Sequence, residues 1–331
     1  MKKNRITVVS LILLIYLWFQ SCENPAGSSN FLATPGPILF MCTKSGTSQP
    51  YSMNPDGSNV QQLSNDSKFP IVDAKWSPDG KKVAVESPVG GIPIYGDAIY
   101  VENSDGSSRY LATRKSMVVM YDSTVGDTVA YRGALGPVWS PDSKQIAYIR
   151  HRLAEPLYSS DIFVVDVDGQ NERRITDSPK IEKDLVDWSP DGNYLLAALT
   201  NDLQMDSVTG LPPRSAVLYN LQGMPVMSWV PSKAGAGPFS RGGSKIAYGE
   251  PDGVYVMDAD GSNPQRVASD PPGVYLSPVC WSPDDSEILC DGSEIDVENR
   301  IFIINVETGT VTEITPFKNY DGYEFATDWR R

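Results

Sequence analysis

Trp76-Ser77-Pro78-Asp79-Gly80 decides the fold, because the stretch recurs along the chain. It returns as Trp139-Ser140-Pro141-Asp142-Ser143, Trp188-Ser189-Pro190-Asp191-Gly192 and Trp281-Ser282-Pro283-Asp284-Asp285. A degenerate copy stands at Phe239-Ser240-Arg241-Gly242-Gly243, and Asp328-Trp329 is a truncated last copy. The aromatic anchors are spaced by 63, 49, 51, 42 and 48 residues, lengths that suit one four-stranded blade per repeat. An array of this kind starting near residue 37 accounts for one domain, 38–331.

Each repeat shows the same succession. A short apolar strand ends in the anchor, as in Gly136-Pro137-Val138-Trp139, and the Pro-Asp-Gly turn follows. Alternating and then β-branched runs come next, such as Lys144–Ile149 and Asp161–Asp166, too short and too branched for helices. Asp56-Gly57, Asp105-Gly106, Asp168-Gly169 and Asp260-Gly261 mark a second tight turn before a polar outer strand. Ile38–Met41 and Tyr51–Asn54 lack a preceding first strand, while Ala326–Trp329 is a first strand with nothing after it. Joined, the two ends make one blade. The expectation is an all-β, six-bladed propeller of four-stranded antiparallel blades, its ring closed by the C-terminal strand.

In this architecture Trp76, Trp139, Trp188, Phe239, Trp281 and Trp329 are packing anchors between blades. Pro sets φ for the turn, Asp holds its backbone, and Gly takes the left-handed position. The copy at Phe239 has lost Trp, Pro and Asp together, so that boundary is expected to be the loosest in the ring.

The four Trp-Ser-Pro-Asp copies resemble the WD-like Pro-Asp repeats of TolB proteins and of the propeller in prolyl oligopeptidase relatives. The resemblance covers nearly all of 38–331 and implies the same six-bladed ring. TolB proteins carry an additional α/β domain ahead of the propeller, for which 23–37 is too short. Prolyl oligopeptidase relatives carry a hydrolase domain, for which no chain is left over.

Lys2, Lys3 and Arg5 precede an apolar run from Ile6 to Phe19 that is short for a spanning helix and fits a signal peptide. Ser21-Cys22 resembles the lipobox of bacterial lipoproteins, with Phe19 in place of the usual Leu. Residues 1–22 are thus expected to be a lipoprotein signal ending at an acylated Cys22, and 23–37 a flexible tether. An ordinary secretory signal or an N-terminal anchor is the alternative. This places the protein in the bacterial cell envelope, at the outer membrane or its periplasmic face. Loss of the three basic residues makes the formal −13 charge still more negative, which speaks against nucleic acid as a partner. Cys42, Cys280 and Cys290 cannot all pair with one another; burial as small apolar residues is the expected role, with a Cys280–Cys290 bridge left open.

One histidine, His151, is too few for a triad or a His-rich metal site, and no Gly-x-Ser-x-Gly elbow is present. Flanked by Arg150 and Arg152, it reads as a solvated loop residue. Asp258-Ala259-Asp260-Gly261 begins like a calcium loop but has Gly at the fourth position and no Glu at the twelfth. No catalytic residue, cofactor or metal is therefore expected. The short turns share one flat face, and the long connections rise on the other. Those connections offer Tyr95, Tyr121, Tyr131, His151, Tyr158, Tyr320 and Tyr323 for binding a protein partner. Within 113–134, Val118–Tyr121 and Thr128–Tyr131 read as the arms of an extra hairpin. A glycan at the channel mouth is the second binding reading, and a carboxylate-based glycan hydrolase or lyase the enzymatic one.

Overall fold

The computed structural model describes residues 36–330 apart from 65, 67–68, 89–96, 105–107, 114–116, 123–126, 153–158, 178–180, 201–213, 230–236, 295–296 and 318–323. Its described residues form strands and turns in six sheets. Blade 6 is made by both ends of the chain: β1 (Ile38–Cys42), β2 (Gln49–Met53) and β3 (Gln61–Gln62) are completed by β24 (Glu324–Trp329). Blade 1 holds β4 (Asp73–Trp76), β5 (Lys82–Pro88), β6 (Asp97–Asn103) and β7 (Arg109–Leu111). Blade 2 has β8 (Met117–Asp122), β9 (Asp127–Trp139), β10 (Gln145–Arg152), β11 (Ser160–Asp166) and β12 (Arg173–Arg174). Blade 3 runs β13 (Glu182–Trp188), β14 (Tyr194–Thr200), β15 (Arg214–Asn220), β16 (Pro225–Trp229). Blade 4 is β17 (Lys245–Glu250), β18 (Gly253–Asp258) and β19 (Gln265–Ala268). Blade 5 is β20 (Val274–Trp281), β21 (Glu287–Glu294), β22 (Val297–Asn305) and β23 (Val311–Glu313).

Ring closure follows the expectation: β24 pairs antiparallel with β1, Ile38 opposite Trp329. Two blades depart from four strands. In blade 4 the described inner strand is reduced to the single bridge Phe239↔Ile246. Blade 2 gains a fifth strand, because β9 runs on as one arm of a hairpin with β8, Tyr121 opposite Thr128 and Val118 opposite Tyr131.

The core lies between blades. Alternate side chains of one strand point to opposite neighbours, so the strands are apolar on both faces. Leu39 and Met41 pack toward blade 1, with Trp76 and Val85. Ile38 and Phe40 of the same strand pack toward blade 5, with Leu289 and Ile301. Among the described residues, the seam between blades 3 and 4, where Phe239 replaces tryptophan, has the smallest such cluster.

The repeated turn is held as its residue types require. Ser77 Oγ donates to Asp79 Oδ1 at 2.7 Å and accepts from the Lys82 backbone N–H at 2.9 Å. The same Ser–Asp bond recurs at Ser140, Ser189 and Ser282. The fifth position is left-handed in every copy, including the non-glycine Ser143 and Asp285, both at φ 60°. Hydrogen bonds from Ser282 and Ser286 hold the Asp284 carboxyl down to about 2, so it stays charged as a turn acceptor.

Polar bonds cross the boundaries between blades. Asp187 and Asp328, each just before an anchor, accept from the anchor N–H of the following blade: Phe239 at 2.9 Å and Trp76 at 2.8 Å. Glu86 and Asp291, each ten residues after an anchor, accept from inner-strand amides of the next blade, Gly136 at 2.9 Å and Ala326 at 2.6 Å. Lys183 of blade 3 reaches Ser160 O at 2.6 Å and Asp161 at 3.4 Å in blade 2. Asp285 of blade 5 accepts from Arg241 N and Gly242 N in blade 4, the latter at 2.8 Å.

Burial raises the Asp291 carboxyl to about 7, against the lowering effect of the Ala326 bond and of Lys75. A carboxyl whose folded pKa is raised holds its proton in the folded chain where the unfolded chain has lost it. Its contribution to stability is therefore present below about pH 4 and lost as pH rises toward 7. Asp291→Asn is expected to be relatively more stable at pH 8 than at pH 5 when its thermal midpoint is compared with wild type. An unchanged difference between the two pH values would show that Asp291 is ionised throughout.

Candidate functional site

The centre of the ring is lined from all six inner strands. The residues just before the anchors are Lys75, Val138, Asp187, Pro238, Cys280 and Asp328. In blades 3, 5 and 6 the pairing skips a residue two before the anchor, and these bulges bring Val186, Val279 and Thr327 to the lining as well. The space they enclose is about 80 Å³. That is roughly half of the ~150 Å³ that admits a benzene-sized ring, so this end of the channel has no room for a sugar.

Arg241 occupies the site. It stands where the other repeats have proline, and its guanidinium crosses toward the axis, donating to Trp281 O at 3.2 Å and Trp329 O at 2.6 Å. Asp328 lies 3.7 Å from it. Burial works against the charge, but Asp328, Asp187 and Asp285 outweigh it and the guanidinium pKa is raised. Lys75 donates to Thr327 O across the same space. The charges of the channel are thus committed to the backbone and to each other.

The long-connection face is built on buried charge. At the root of 153–158, Arg152 bonds Asp161 at 2.7 Å and Asp177 at 2.8 Å, and Arg174 also reaches Asp177 at 2.8 Å. Arg150, fully buried, donates to Gly133 O at 3.0 Å and to Glu172 at 2.8 Å. At the root of 89–96, burial and then the Asp73 charge push the Glu86 carboxyl well up, and Glu86 hydrogen-bonds to Asp97. The loops thus start from fixed stems.

His151 is not a loop residue. It lies within β10, opposite Arg132 and Ser160, half-buried between the two buried arginines. The β period explains the difference: the strand continues three residues beyond Ile149 because Arg150 and Arg152 find partners inside. Tyr121 and Tyr131 fall on the hairpin of β8 and β9. Tyr95, Tyr158, Tyr320, Tyr323 and Cys22 lie outside the described residues. Among the described residues no group of three or more His, Cys, Asp or Glu side chains could hold a metal. Asp258 and Asp260 spend their oxygens on Asn263 at 2.7 Å and on the Ser262 N–H at 2.9 Å, as turn caps. Cys42, Cys280 and Cys290 are free and buried, and burial raises the first two thiols to about 11 and about 12. Sequence reasoning missed Arg241 and the Glu86 and Asp291 clasps. The signal for the two clasps was a shared offset of ten from the anchor, visible only once the repeats are aligned.

No family model matches the chain. It is 30% identical over 159 residues to a protein TolB homolog of Chlorobium chlorochromatii (strain CaD3), a match that covers 48% of this chain and 30% of that relative. TolB from Acinetobacter baumannii superposes with a TM-score of 0.60 at 19% identity, over 87% of this chain and 65% of that one. A putative TolB from Agrobacterium tumefaciens gives 0.58 at 16% identity, over 88% and 98%. The chain thus spans less than two thirds of the Chlorobium and Acinetobacter relatives. With its Trp-Ser-Pro-Asp repeat and its ring closed between β1 and β24, the chain is a six-bladed β-propeller whose fold is similar to that of TolB proteins.

Proposed function

We propose that this protein is a non-catalytic envelope lipoprotein whose propeller binds a protein partner through the face of long connections. One observation carries the reading: blade 2 extends past four strands into the β8–β9 hairpin, on the face whose loop stems are fixed by buried charge. A rigid ring with one elaborated face is a platform for recognition, and the tyrosines of that face supply amphipathic contact area. The likeness to TolB proteins supports a protein-interaction scaffold at the envelope. In this reading 1–22 is the signal, Cys22 carries the lipid, and 23–37 is the tether that lifts the ring from the membrane. Tyr95, Tyr121, Tyr131, Tyr158, Tyr320 and Tyr323 contribute to the partner surface, with His151 at the base of one loop.

Two measurements test it. Cys22→Ala should move the protein from the membrane to the soluble fraction; a variant that stays membrane-bound refutes lipid anchoring at that residue. Cross-linking in envelope extracts should recover a partner with wild type and lose it when the hairpin arms Met117–Tyr131 are replaced by a short turn. Equal recovery from both would place the partner elsewhere.

A further inference from the structure

The face of short turns is not flat throughout. Between blades 3 and 4 it opens into a groove of about 740 Å³ walled by Pro190, Leu218, Val226, Met227, Phe239 and the Gly242-Gly243 pair. Its origin is in the sequence. The degenerate repeat puts Gly242 where the other copies have Asp, and phenylalanine replaces the larger anchor, so the blade 3–4 seam is under-filled at this end. A Cβ at Gly242 would meet Asp285 Oδ2 at 3.2 Å and no other described atom within 4 Å. The outer wall is unusual as well. β16, Pro-Val-Met-Ser-Trp, is the outermost strand of blade 3 and has no charged or amide side chain, whereas the other outermost strands carry Gln, Arg or Glu. Val226 on it is 49% exposed and the adjoining Met224 59%, the two most exposed large apolar residues among those described. Uncharged edges of this kind are templates for pairing with another strand.

Among the described residues of the lining, the exposed charges have one sign. Asp191 and Asp260 stand exposed at its two rims, and the hydrogen bonds from Ser189 and Ser262 help hold both carboxyls low and therefore ionised. Burial alone would raise the Asp191 carboxyl, and the bonds from Ser189 and Asn193 more than reverse it. Arg241 is the one cation among the described residues of the lining, and its guanidinium is turned to the channel, on Trp281 O and Trp329 O. An apolar trough between two ionised carboxylates fits an apolar side chain flanked by cations. The chain's own 23–37 segment contains no Lys or Arg, and a second copy would bring a further net charge of −13.

We infer that this groove is a second docking site, independent of the long-connection face, for an extended peptide segment of a partner protein that places a bulky apolar side chain beside Lys or Arg.

The test uses the full-length protein in detergent and a fluorescent heptapeptide of alternating lysine and leucine, read by anisotropy. Controls alternate lysine with serine and glutamate with leucine. The lysine–leucine peptide should bind at least tenfold more tightly than either control. Met227→Lys should weaken it at least tenfold, and Asp191→Asn combined with Asp260→Asn about fivefold. The double variant keeps the test open if Met227→Lys does not fold. Removal of the β8–β9 hairpin should leave this binding unchanged, which separates it from the partner surface proposed above. Equal binding of all three peptides, or binding untouched by both groove variants, overturns the inference. So does a wild-type dimer in sedimentation that Met227→Lys disperses, since the groove's occupant would then be a second copy.

Discussion

Trp281→Ala is expected to lower the free energy of unfolding by about 3–5 kcal/mol. The side chain is 2% exposed and packs in the seam between blades 4 and 5 with Ile288, Phe302 and Ala247. Its indole N–H donates to Pro238 O at 3.1 Å, reaching back into blade 4. Truncation would remove a large apolar body from a close-packed seam and one of two donors to that carbonyl, which also accepts from the Ala247 N–H at 3.1 Å. Trp139 makes the equivalent bond to Lys75 O at 3.0 Å, whereas Trp188 turns its N–H to Gly192 O of its own turn at 3.2 Å. Urea unfolding followed by tryptophan fluorescence and circular dichroism measures the loss. A change below about 1 kcal/mol would mean that the anchors do not carry the seams, because a buried aromatic cannot be removed from a packed core so cheaply.

Restoring the repeat by Arg241→Pro is expected to destabilise the ring, by about 3 kcal/mol. Judged by the motif alone, the change is a repair. Judged by the structure, it removes a guanidinium that ties blade 4 to Trp281 O in blade 5 and Trp329 O in blade 6, and an N–H that bonds Asp285. Hydrogen bonds to a charged group contribute about 1.5–3 kcal/mol each, and Asp328 would lose its nearby cation. Arg241→Lys should recover only part of the loss, since one ammonium lacks the planar fork that serves two carbonyls at once. Hydrogen exchange would localise the effect: amides at Trp281 and Trp329 should lose protection in Arg241→Pro more than those at Trp139. A stability equal to or above that of wild type would show that the proline turn outweighs the guanidinium.

The two variants probe different layers of the same repeat, and the layers were not equally legible. The anchors, the Ser-Pro-Asp turns and the closure through Trp329 could be read directly, because each depends on residues close together in the chain and repeats several times. The extra hairpin in blade 2 was legible too, as two β-branched arms within 113–134. His151 was misplaced because nothing local to Arg150-His151-Arg152 says that the two arginines find Asp161, Asp177, Glu172 and Gly133 O around them. The degenerate copy was read as a loss, whereas Arg241 takes up contacts that proline cannot make.

Local pattern fixed the strand order, the turn chemistry and the number of blades, since β periodicity and turn geometry are set by neighbours in sequence. The partners of Arg241, Glu86, Asp187, Asp291 and Asp328 lie on other blades, some of them 88 or 252 residues away. So do the two walls of the groove between Pro190 and Gly243. Those features exist only after the ring has closed, because closure brings the end of one repeat against the start of the next and leaves each buried charge a partner or a cost.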